Sequence, residues 1–334
     1  MSYKRITLSH GSGGRLMAQL IQEVFLKVFK NRILKKLDDA AVLKLSNRNI
    51  AFTTDSYTIK PIFFPGGDIG KLAICGTVND LAVQGAKPKV ISVSIIIEEG
   101  FLLKDLEKIV TSMAKTAKKC GVEIVTGDTK VVSRHEVDGI FINTSGIGTM
   151  IEGFDTSCRN VRPGDSVIVS GSIAEHGMCI LNKRENLGLR PDILSDVASI
   201  YPLVHQCRKL AKFIHAMRDP TRGGLAGVLN EISQASKVRI LIHENKIPVK
   251  KEITKACDIL GLDCLNIANE GKVILFVASK KAKRILSCLR KHKIGKNAVV
   301  VGQVEKGRSV YINTAFGTQR LLTLSDGEVL PRIC

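Results

Sequence analysis

Residues 72–86 have the sequence LAICGTVNDLAVQGA, in which Asp80 is the one charged side chain. The other residues are apolar, small or neutral, and this composition predicts a largely buried helix over residues 69–86. A carboxylate without a partner in such a helix loses its hydration, which costs several kcal/mol. Asp80 therefore predicts a metal ion or a basic partner inside the first half of the chain.

Strands are predicted on both sides of this helix. Residues 50–57 precede it, and the β-branched run 90–97 predicts a following strand that is buried on both faces. An amphipathic helix is predicted over residues 103–119. The next strand, residues 121–125, ends in a polar cluster, GDTK at 127–130. Since α/β folds place ligands at the carboxyl ends of strands, this cluster predicts a binding site.

The second half begins near residues 150–165 and alternates helices with strands. Its predicted helices are 174–184, 195–217, 225–236, 251–260 and 281–292. Its predicted strands are 166–170, 238–243, 273–278, 298–304 and 309–313. The pattern predicts an α+β fold with two α/β lobes of similar size.

The chain has 334 residues and a net charge of +19, from 50 basic and 31 acidic residues. This length suits two domains. The charge is compatible with nucleic acid, an acidic protein or a polyphosphate substrate. Aromatic residues make up only 4%, Trp is absent and the lysines are spread along the chain, so a solvated basic surface is favoured over nucleic-acid binding.

The sequence predicts a cytoplasmic protein with no membrane segment, because it has neither a signal-peptide h-region nor an apolar run of about 18 residues. Its nine cysteines include no Cys-x-x-Cys pair, which argues against a structural zinc site.

Four carboxylates in the first half border apolar segments: Asp39, Asp55, Asp80 and Asp128. If they converge, they repel one another unless cations neutralise them, and Mg²⁺ prefers carboxylates, phosphates and water. The pattern therefore predicts a Mg²⁺–nucleotide site. The glycine-rich turn at residues 11–14 precedes a helical pattern and suits an anion, although it lacks the P-loop pattern and is compatible with a plain turn.

Five motifs resemble the aminoimidazole ribonucleotide synthetase (PurM-like) superfamily, which includes selenophosphate synthetase and thiamine-monophosphate kinase. They are DDAA at 38–41, TTDS at 53–56, GTVNDLAVQGA at 76–86, GDTK at 127–130 and DPTRGGL at 219–225. Within it, four further motifs are similar to the HypE family of hydrogenase maturation factors. They are HGSGG at 10–14, FFPGG at 63–67, ANEGK at 268–272 and PRIC at 331–334.

The resemblance implies a domain division. Residues 1–36 hold the glycine-rich loop and a helix, 37–152 form an ATP-binding lobe that also forms the dimer, and 153–320 form a second PurM-like domain. Residues 321–334 form a flexible tail that ends in a reactive Cys334. The prolines and glycines of the PRIC and SDG segments fit such a tail.

The resemblance also implies an activity. The carbamoyltransferase HypF loads a carbamoyl group onto the Cys334 thiol. ATP-dependent dehydration then converts it to S-cyanocysteine, a thiocyanate. The cyano group becomes the cyanide ligand of iron, held by the HypC–HypD complex, for [NiFe]-hydrogenase. Family members form homodimers with ATP and Mg²⁺ at the subunit interface.

The same resemblance implies roles for individual residues. The metal ligands would be Asp39, Asp55, Asp80 and Asp128. The nucleotide contacts would be Gly11, Ser12, Gly13, Gly14, Thr53, Thr54, Asn79 and Thr129. Glu270 would be the base, with a pKa raised by burial, and Lys130 would relay a proton or stabilise charge. Alternatively, Glu270 caps a turn and Lys130 pairs with a carboxylate.

His176 and Arg222 are further candidates in the second half, and a surface salt bridge explains Arg222 equally well. Other functions are also compatible with the residues. A small-molecule kinase or synthetase, like selenophosphate synthetase or thiamine-monophosphate kinase, would need no terminal cysteine. A nucleic-acid-binding protein and a scaffold that only recruits the maturation complex are the alternatives outside this class.

Overall fold

The computed structural model of the chain describes residues 14–26, 33–45, 48–324 and 330–334, and the following account concerns those residues. The predicted nucleotide contacts Gly11, Ser12 and Gly13 lie outside them. No helix among the described residues is long and apolar enough to cross a membrane.

The first lobe is a five-stranded sheet covered on one face by helices. Its strands are β1 (Ala41–Leu45), β2 (Arg48–Tyr57), β5 (Ala86–Glu98), β6 (Glu123–Val132) and β7 (Ile140–Met150), and a separate hairpin consists of β3 (Phe63–Phe64) and β4 (Gly67–Asp68). The helices are α1 (Arg15–Leu20), α2 (Ile69–Val83) and α3 (Leu103–Cys120), and a π-helical turn, Ile21–Phe25, follows α1. The strand order is β1-β2-β7-β5-β6, and only β5 and β6 are parallel.

Helix α2 forms the centre of this lobe, as its sequence predicts. Its N-cap is Asp68, whose Oδ1 accepts hydrogen bonds from the backbone nitrogens of Gly70 (2.8 Å) and Lys71 (3.0 Å). Thirteen of its fifteen residues are buried. It packs against β2, β5 and β7 on one side and α3 on the other, so it is enclosed between a sheet and a helix.

The second lobe is a seven-stranded sheet with the order β14-β13-β10-β12-β8-β11-β9. The strands are β8 (Asp165–Val169), β9 (Ile214–Arg218), β10 (Arg239–His243), β11 (Ile274–Ala278), β12 (Val299–Glu305), β13 (Val310–Asn313) and β14 (Gln319–Leu321). The helices are α4 (Glu175–Glu185), α5 (Tyr201–Gln206), α6 (Gly224–Ser236), α7 (Lys251–Leu260) and α8 (Ser279–Arg290). Most predicted elements agree with these bounds within a few residues.

The predicted helix over residues 195–217 is wrong. The structure has the short helix α5, a 3₁₀ turn at Arg208–Phe213 and then β9. Apolar residues in this segment are spaced as on a helix, but residues 214–218 pair with β11 and complete an edge of the sheet. Tertiary pairing therefore overrides the local pattern.

The prediction that residues 90–97 are buried on both faces is also wrong. Ile91, Val93 and Ile97 face the helices and are buried, whereas Ile96 on the other face is exposed. The first sheet is thus covered on one side only, and its outward face remains open in a single chain. The GDTK residues likewise lie inside β6 and not at its end.

Gly76 allows α2 to pack closely on β2, because a Cβ at this position would overlap the Tyr57 hydroxyl. We expect Gly76→Ala to lower the free energy of unfolding by about 1–3 kcal/mol, the cost of overpacking a core. Gly227 in α6 is the matched control, since a Cβ there would lie 3.4 Å from the carbonyl oxygen of Arg222, an ordinary contact. Gly227→Ala should be neutral or stabilising by up to about 1 kcal/mol. Urea unfolding of the two variants and the native chain measures this, and equal loss of stability in both would contradict the packing.

Candidate functional site

Three carboxylates meet where the two lobes adjoin. One oxygen each of Asp39, Asp80 and Asp219 lies within 4.8 Å of the others. Asp39 precedes β1, Asp80 lies in the last turn of α2, and Asp219 follows β9 in the second lobe. We call these three residues the carboxylate cluster. Because both lobes contribute to it, the cluster exists only when the lobes are packed together.

Asp80 is the member of the cluster that α2 contributes. Its Oδ2 lies 2.7 Å from the Thr53 hydroxyl, which is also 3.0 Å from the carbonyl oxygen of Asp39. Burial raises the pKa of Asp80 well above its usual range, and the nearby charge of Asp55 raises it further. The charge on Asp80 is therefore poorly compensated by the protein itself.

Arg218 offsets part of this negative charge. Its guanidinium lies 2.7 Å from Asp39 Oδ1 and also contacts Glu231. Even so, burial raises the pKa of Asp39, and its Oδ2 is a buried atom without a hydrogen-bond partner. Burial also raises the pKa of Asp219 to about 6. Three oxygen ligands with one unpaired buried atom fit a divalent cation that prefers carboxylates, such as Mg²⁺.

Glu270 lies in a buried turn next to this cluster. Burial raises its pKa well above the usual range, and the charges of Asp219, Asp196 and Asp55 act in the same direction. Its Oε1 is buried and has no hydrogen-bond partner. The raised pKa is the property that the sequence predicted for a base at this position, and the unpaired oxygen leaves room for a hydrogen bond to a ligand.

The backbone of this turn is held from two sides. Asp196 accepts hydrogen bonds from the backbone nitrogens of Glu270 and Gly271, both at 3.1 Å, while Lys272 lies 2.9 Å from the same carboxylate. The Asn79 amide donates to the carbonyl oxygens of Ala198 (3.1 Å) and Glu270 (3.3 Å). Asn79, predicted to contact nucleotide, therefore uses its side chain to position the Glu270 turn.

The chain end is docked against both lobes. Ile333 is buried in the core, and the carbonyl oxygen of Cys334 accepts a hydrogen bond from the backbone nitrogen of Thr58 at 3.0 Å. The negative charge of Cys334 is the largest influence that raises the pKa of Arg222; burial acts in the opposite direction, and the charges of Asp55 and Glu270 raise the pKa further. Arg222 is thus close to the chain end and to the acidic site, where it does more than form an isolated surface salt bridge.

Two side chains of α4 hold this docked tail. The ring of His176 is fully buried, with Nε2 2.7 Å from the carbonyl oxygen of Ile333 and Nδ1 2.7 Å from the Ser195 hydroxyl. Burial lowers the pKa of His176, so the ring is neutral. Since a carbonyl oxygen only accepts, Nε2 donates to Ile333 and Nδ1 accepts from Ser195.

Arg184 is the second side chain. Its guanidinium donates to the carbonyl oxygens of Pro331 (2.6 Å), Arg332 (2.8 Å) and Lys60 (2.6 Å). Arg332 in turn pairs with Asp138, which also pairs with Lys60 at 2.7 Å. The tail is therefore fixed mainly through its backbone, while the Cys334 side chain remains partly exposed.

Several predicted site residues lie elsewhere within the chain. Asp128 does not join the other carboxylates: it pairs with Lys130 at 3.0 Å on the exposed edge strand β6. Asp128 pairs across the strands with Ser94, Ser94 pairs with Asn143, and Asn143 pairs with Ser56, so all four side chains lie on the outward face of the sheet. Asp55 is the neighbour of Ser56 in β2, and its side chain therefore lies on the other face. Thr54 also lies on this outward face, and Thr129 lies on the same edge strand as Asp128.

Of the remaining predicted residues, Thr53 and Asp55 are close to the cluster. Thr53 contacts Asp80 directly, Asp55 contributes its charge, and Gly14 is the buried N-cap of α1. The sequence patterns assigned no role to Asp219, Asp196, Arg218, Arg184 and Lys272. Asp219 directly follows β9, so a correct strand assignment at residues 214–218 would have placed a further carboxylate at a strand end.

Comparison with known families matches residues 37–150 to the N-terminal domain and residues 162–314 to the C-terminal domain of AIR synthase related proteins. Carbamoyl dehydratase HypE of Rhizobium leguminosarum bv. viciae is 47% identical over 333 residues, which cover 99% of this chain and 95% of the relative. Carbamoyl dehydratase HypE of Escherichia coli K12 is 45% identical over 334 residues, covering 98% and 99%.

Solved structures agree with this similarity. The fold of a chain in a HypE–HypF complex matches with a TM-score of 0.88 at 49% identity, covering 92% of this chain and 99% of that one. A hydrogenase maturation protein HypE in complex with ATP matches with a TM-score of 0.83 at 45% identity, covering 98% and 100%. The two-lobe α+β fold and the superfamily predicted from the motifs are thereby confirmed.

The hydrogen bonds from Arg184 predict how fast Cys334 becomes accessible. Arg184→Met removes two hydrogen bonds to the tail backbone, at about 1 kcal/mol each, so alkylation of Cys334 by iodoacetamide should accelerate about 30-fold. Arg190, which pairs only with the exposed Asp192 among the described residues, provides the control Arg190→Met. Peptide mass spectrometry measures the rate at Cys334, and equal rates in the two variants would show that Arg184 does not hold the tail.

Proposed function

The chain belongs to the AIR synthase related family and, within it, to the HypE group of carbamoyl dehydratases, and we propose that its own C-terminal residue is its substrate. The enzyme dehydrates S-carbamoyl-Cys334 to S-cyanocysteine while ATP is converted to ADP and phosphate. The thiocyanate supplies the cyanide ligand for the iron of [NiFe]-hydrogenase. The observation that carries this proposal is the docked tail, which brings Cys334 close to Arg222 and the acidic site.

The chemistry requires activation of a poor leaving group. The carbonyl oxygen of the carbamoyl group attacks the γ-phosphorus of ATP, and ADP departs. The nitrogen then loses its protons as the C–O bond breaks and phosphate leaves, which gives the C≡N bond. Glu270 accepts a proton from this nitrogen, because its unpaired Oε1 is free to form the hydrogen bond and its raised pKa makes the ionised carboxylate a stronger base.

Mg²⁺ fits the carboxylate cluster, and Asp39, Asp80 and Asp219 would hold it together with Asp55. The ion, when bound, supplies positive charge that offsets the charge on the transferring phosphoryl group. Arg222 orients the terminal residue through its charge, and Asn79 with Asp196 keeps the Glu270 turn in place. The glycine-rich turn at 11–14 remains our proposed contact for the phosphates.

Asp128, Thr129 and Lys130 can act in such a site only from a second subunit. They lie on the sheet edge, three strands or roughly 14 Å from β2, and Asp128 and Lys130 face away from the cluster. The same outward face exposes Phe52, Ile96 and Ile147. A sheet face with exposed apolar side chains is typical of an interaction surface. We therefore propose a homodimer in which the outward faces meet and each subunit offers these residues to its partner.

A relative in the HypE group is known in complex with HypF, and we propose the same carbamoyltransferase as the partner that loads Cys334. A HypC–HypD complex is the proposed acceptor, and the cytoplasm is the proposed location. Thiamine monophosphate kinase from Aquifex aeolicus, at 18% identity and a TM-score of 0.66, shares the fold. A kinase of that type acts on a free substrate and would not require its own chain end beside the acidic site.

Phe52 tests the proposed dimer. Phe52→Asp places a charge within the apolar outward face, so it should convert the dimer to a monomer. The matched control is Phe316→Asp, because Phe316 is 94% exposed on the turn between β13 and β14. Sedimentation equilibrium should give twice the chain mass of 36.4 kDa for the native protein and Phe316→Asp, but a single chain for Phe52→Asp. A native monomer, or a Phe52→Asp dimer, would refute this interface.

Substitutions of Glu270 and Asp80 distinguish a loss of dehydration activity from a loss of nucleotide binding. Glu270→Gln keeps the size of the side chain but removes the base, so ATP should bind normally while dehydration slows roughly 100-fold or more. Asp80→Asn should weaken Mg²⁺–ATP binding about tenfold, as one charge-assisted contact is lost. The exposed Asp258→Asn serves as the control for both.

The measurement uses full-length protein incubated with the carbamoyltransferase, carbamoyl phosphate and ATP. Intact mass spectrometry reports loading of the terminal residue and the later loss of one water, while calorimetry reports nucleotide affinity. Normal loss of water in Glu270→Gln would remove Glu270 as the base. Cys334→Ser should show neither loading nor dehydration, and a normal product in that variant would refute the proposed substrate.

A further inference from the structure

A second cavity, of about 840 Å³, lies away from the carboxylate cluster. One wall is a face of α3, the floor includes Lys71 and Cys75 of α2, and the opposite wall consists of residues 197–199 and 292–294. We call it the lysine cleft. None of the cluster carboxylates, Glu270, Arg222 or the tail lines it, so it is not part of the site described above.

The side chains that line the cleft are strongly basic. Glu107 is the one carboxylate among its seventeen lining residues. Six of them are lysines: Lys71, Lys104, Lys108, Lys115, Lys119 and Lys293. The spacing of the four on α3 places them along one face of the helix, over roughly 22 Å. Lys293 and His292 face them from the other wall. A concave surface lined by one sign of charge concentrates the field that attracts an anion.

Most of these charges have no counter-ion among the residues that the structure describes. Lys108 pairs with Asp105 at 2.8 Å, and Lys71 donates to the carbonyl oxygen of Gly66 at 2.7 Å. In contrast, Lys104, Lys115, Lys119 and Lys293 form no ion pair with any residue in the described ranges. Like charges brought together in a cleft repel one another, so the arrangement is more favourable when an anion is bound.

The remaining lining residues indicate the kind of anion. Thr111 and Ser199 offer hydroxyl groups between the lysines, whereas the Ser112 hydroxyl donates to Asp68 at 2.6 Å. Lysine with hydroxyl donors is a common combination around phosphate oxygens. Arginine, which matches the flat geometry of a carboxylate, does not occur in the lining. The volume falls within the range of small-molecule sites, about 300–1,000 Å³.

We propose that the lysine cleft binds a small anion with several phosphate groups, either a nucleotide or an inorganic polyphosphate. The phosphates contact Lys115, Lys119 and Lys293 across the cleft. The bound anion also touches the segment 197–199, whose other side is attached to the active-site turn: the backbone nitrogen of Ala198 donates to the carbonyl oxygen of Glu270 at 3.3 Å. Occupancy of the lysine cleft should therefore be detectable at residues 197–199.

The test compares two variants with equal loss of charge. Lys115→Gln/Lys119→Gln removes two lysines of the cleft at i and i+4 on α3. Lys251→Gln/Lys255→Gln removes an exposed i and i+4 pair on α7, far from the cleft lining. Calorimetry with inorganic tripolyphosphate, at low salt and without divalent ions, should show binding to the native chain. Affinity should fall about tenfold in the cleft variant and stay unchanged in the α7 variant.

Hydrogen–deuterium exchange locates the ligand, because tripolyphosphate should protect the amides of residues 197–199 and 292–294. A parallel titration with ADP identifies the source: tighter binding that still depends on Lys115 and Lys119 assigns the cleft to nucleotides, and weaker binding assigns it to polyphosphate. Equal affinity in all three proteins, or binding without protection of either wall, would overturn the proposal. Tighter binding of hexaglutamate than of tripolyphosphate would overturn it in favour of an acidic protein segment.

Discussion

Poorly compensated negative charge at the junction of the two lobes is the constraint on which the site depends. Asp39 and Asp80 come from the first lobe and Asp219 from the second, and burial raises the pKa of all three. Within the described ranges, Arg218 is the cation that pairs with the cluster. Because separate lobes would leave these carboxylates hydrated, their perturbation is a property of the packed molecule. A divalent cation would relieve this cost, and the proposed nucleotide site therefore depends on the lobe arrangement.

Helix α2 connects the functional regions. Asp80 belongs to the carboxylate cluster, while its neighbour Asn79 holds the Glu270 turn through two carbonyl oxygens. One turn earlier, Gly76 lets the helix approach Tyr57 on β2, and Lys71 and Cys75 reach the lysine cleft. A single buried helix thus fixes Asp80, the proposed metal ligand, relative to Glu270, the proposed base.

The docked tail explains how a chain end becomes part of an active site. His176 and Arg184 bind backbone carbonyl oxygens of residues 331–333 and leave the Cys334 side chain uncommitted to these contacts. Hydrogen bonds to the backbone give a docked state that is specific in position but depends on only a few contacts. Each contributes about 1 kcal/mol, so the tail can be released for loading and delivery without unfolding of either lobe.

Composition and motifs by themselves determined the α+β class, the buried helix with its lone carboxylate and the superfamily, and they named Glu270 and Cys334 as candidate site residues, which stays a prediction. These follow from local features: apolar periodicity, a charge in an apolar run, and short motifs. Only the tertiary structure decided that residues 214–218 are a strand, that Asp219 joins Asp39 and Asp80, and that Asp128 and Lys130 face outward. Those outcomes depend on strand pairing and on the packing of two lobes, which bring together residues far apart in the chain. No local pattern carries that information, because the energy of a buried charge depends on which distant groups surround it.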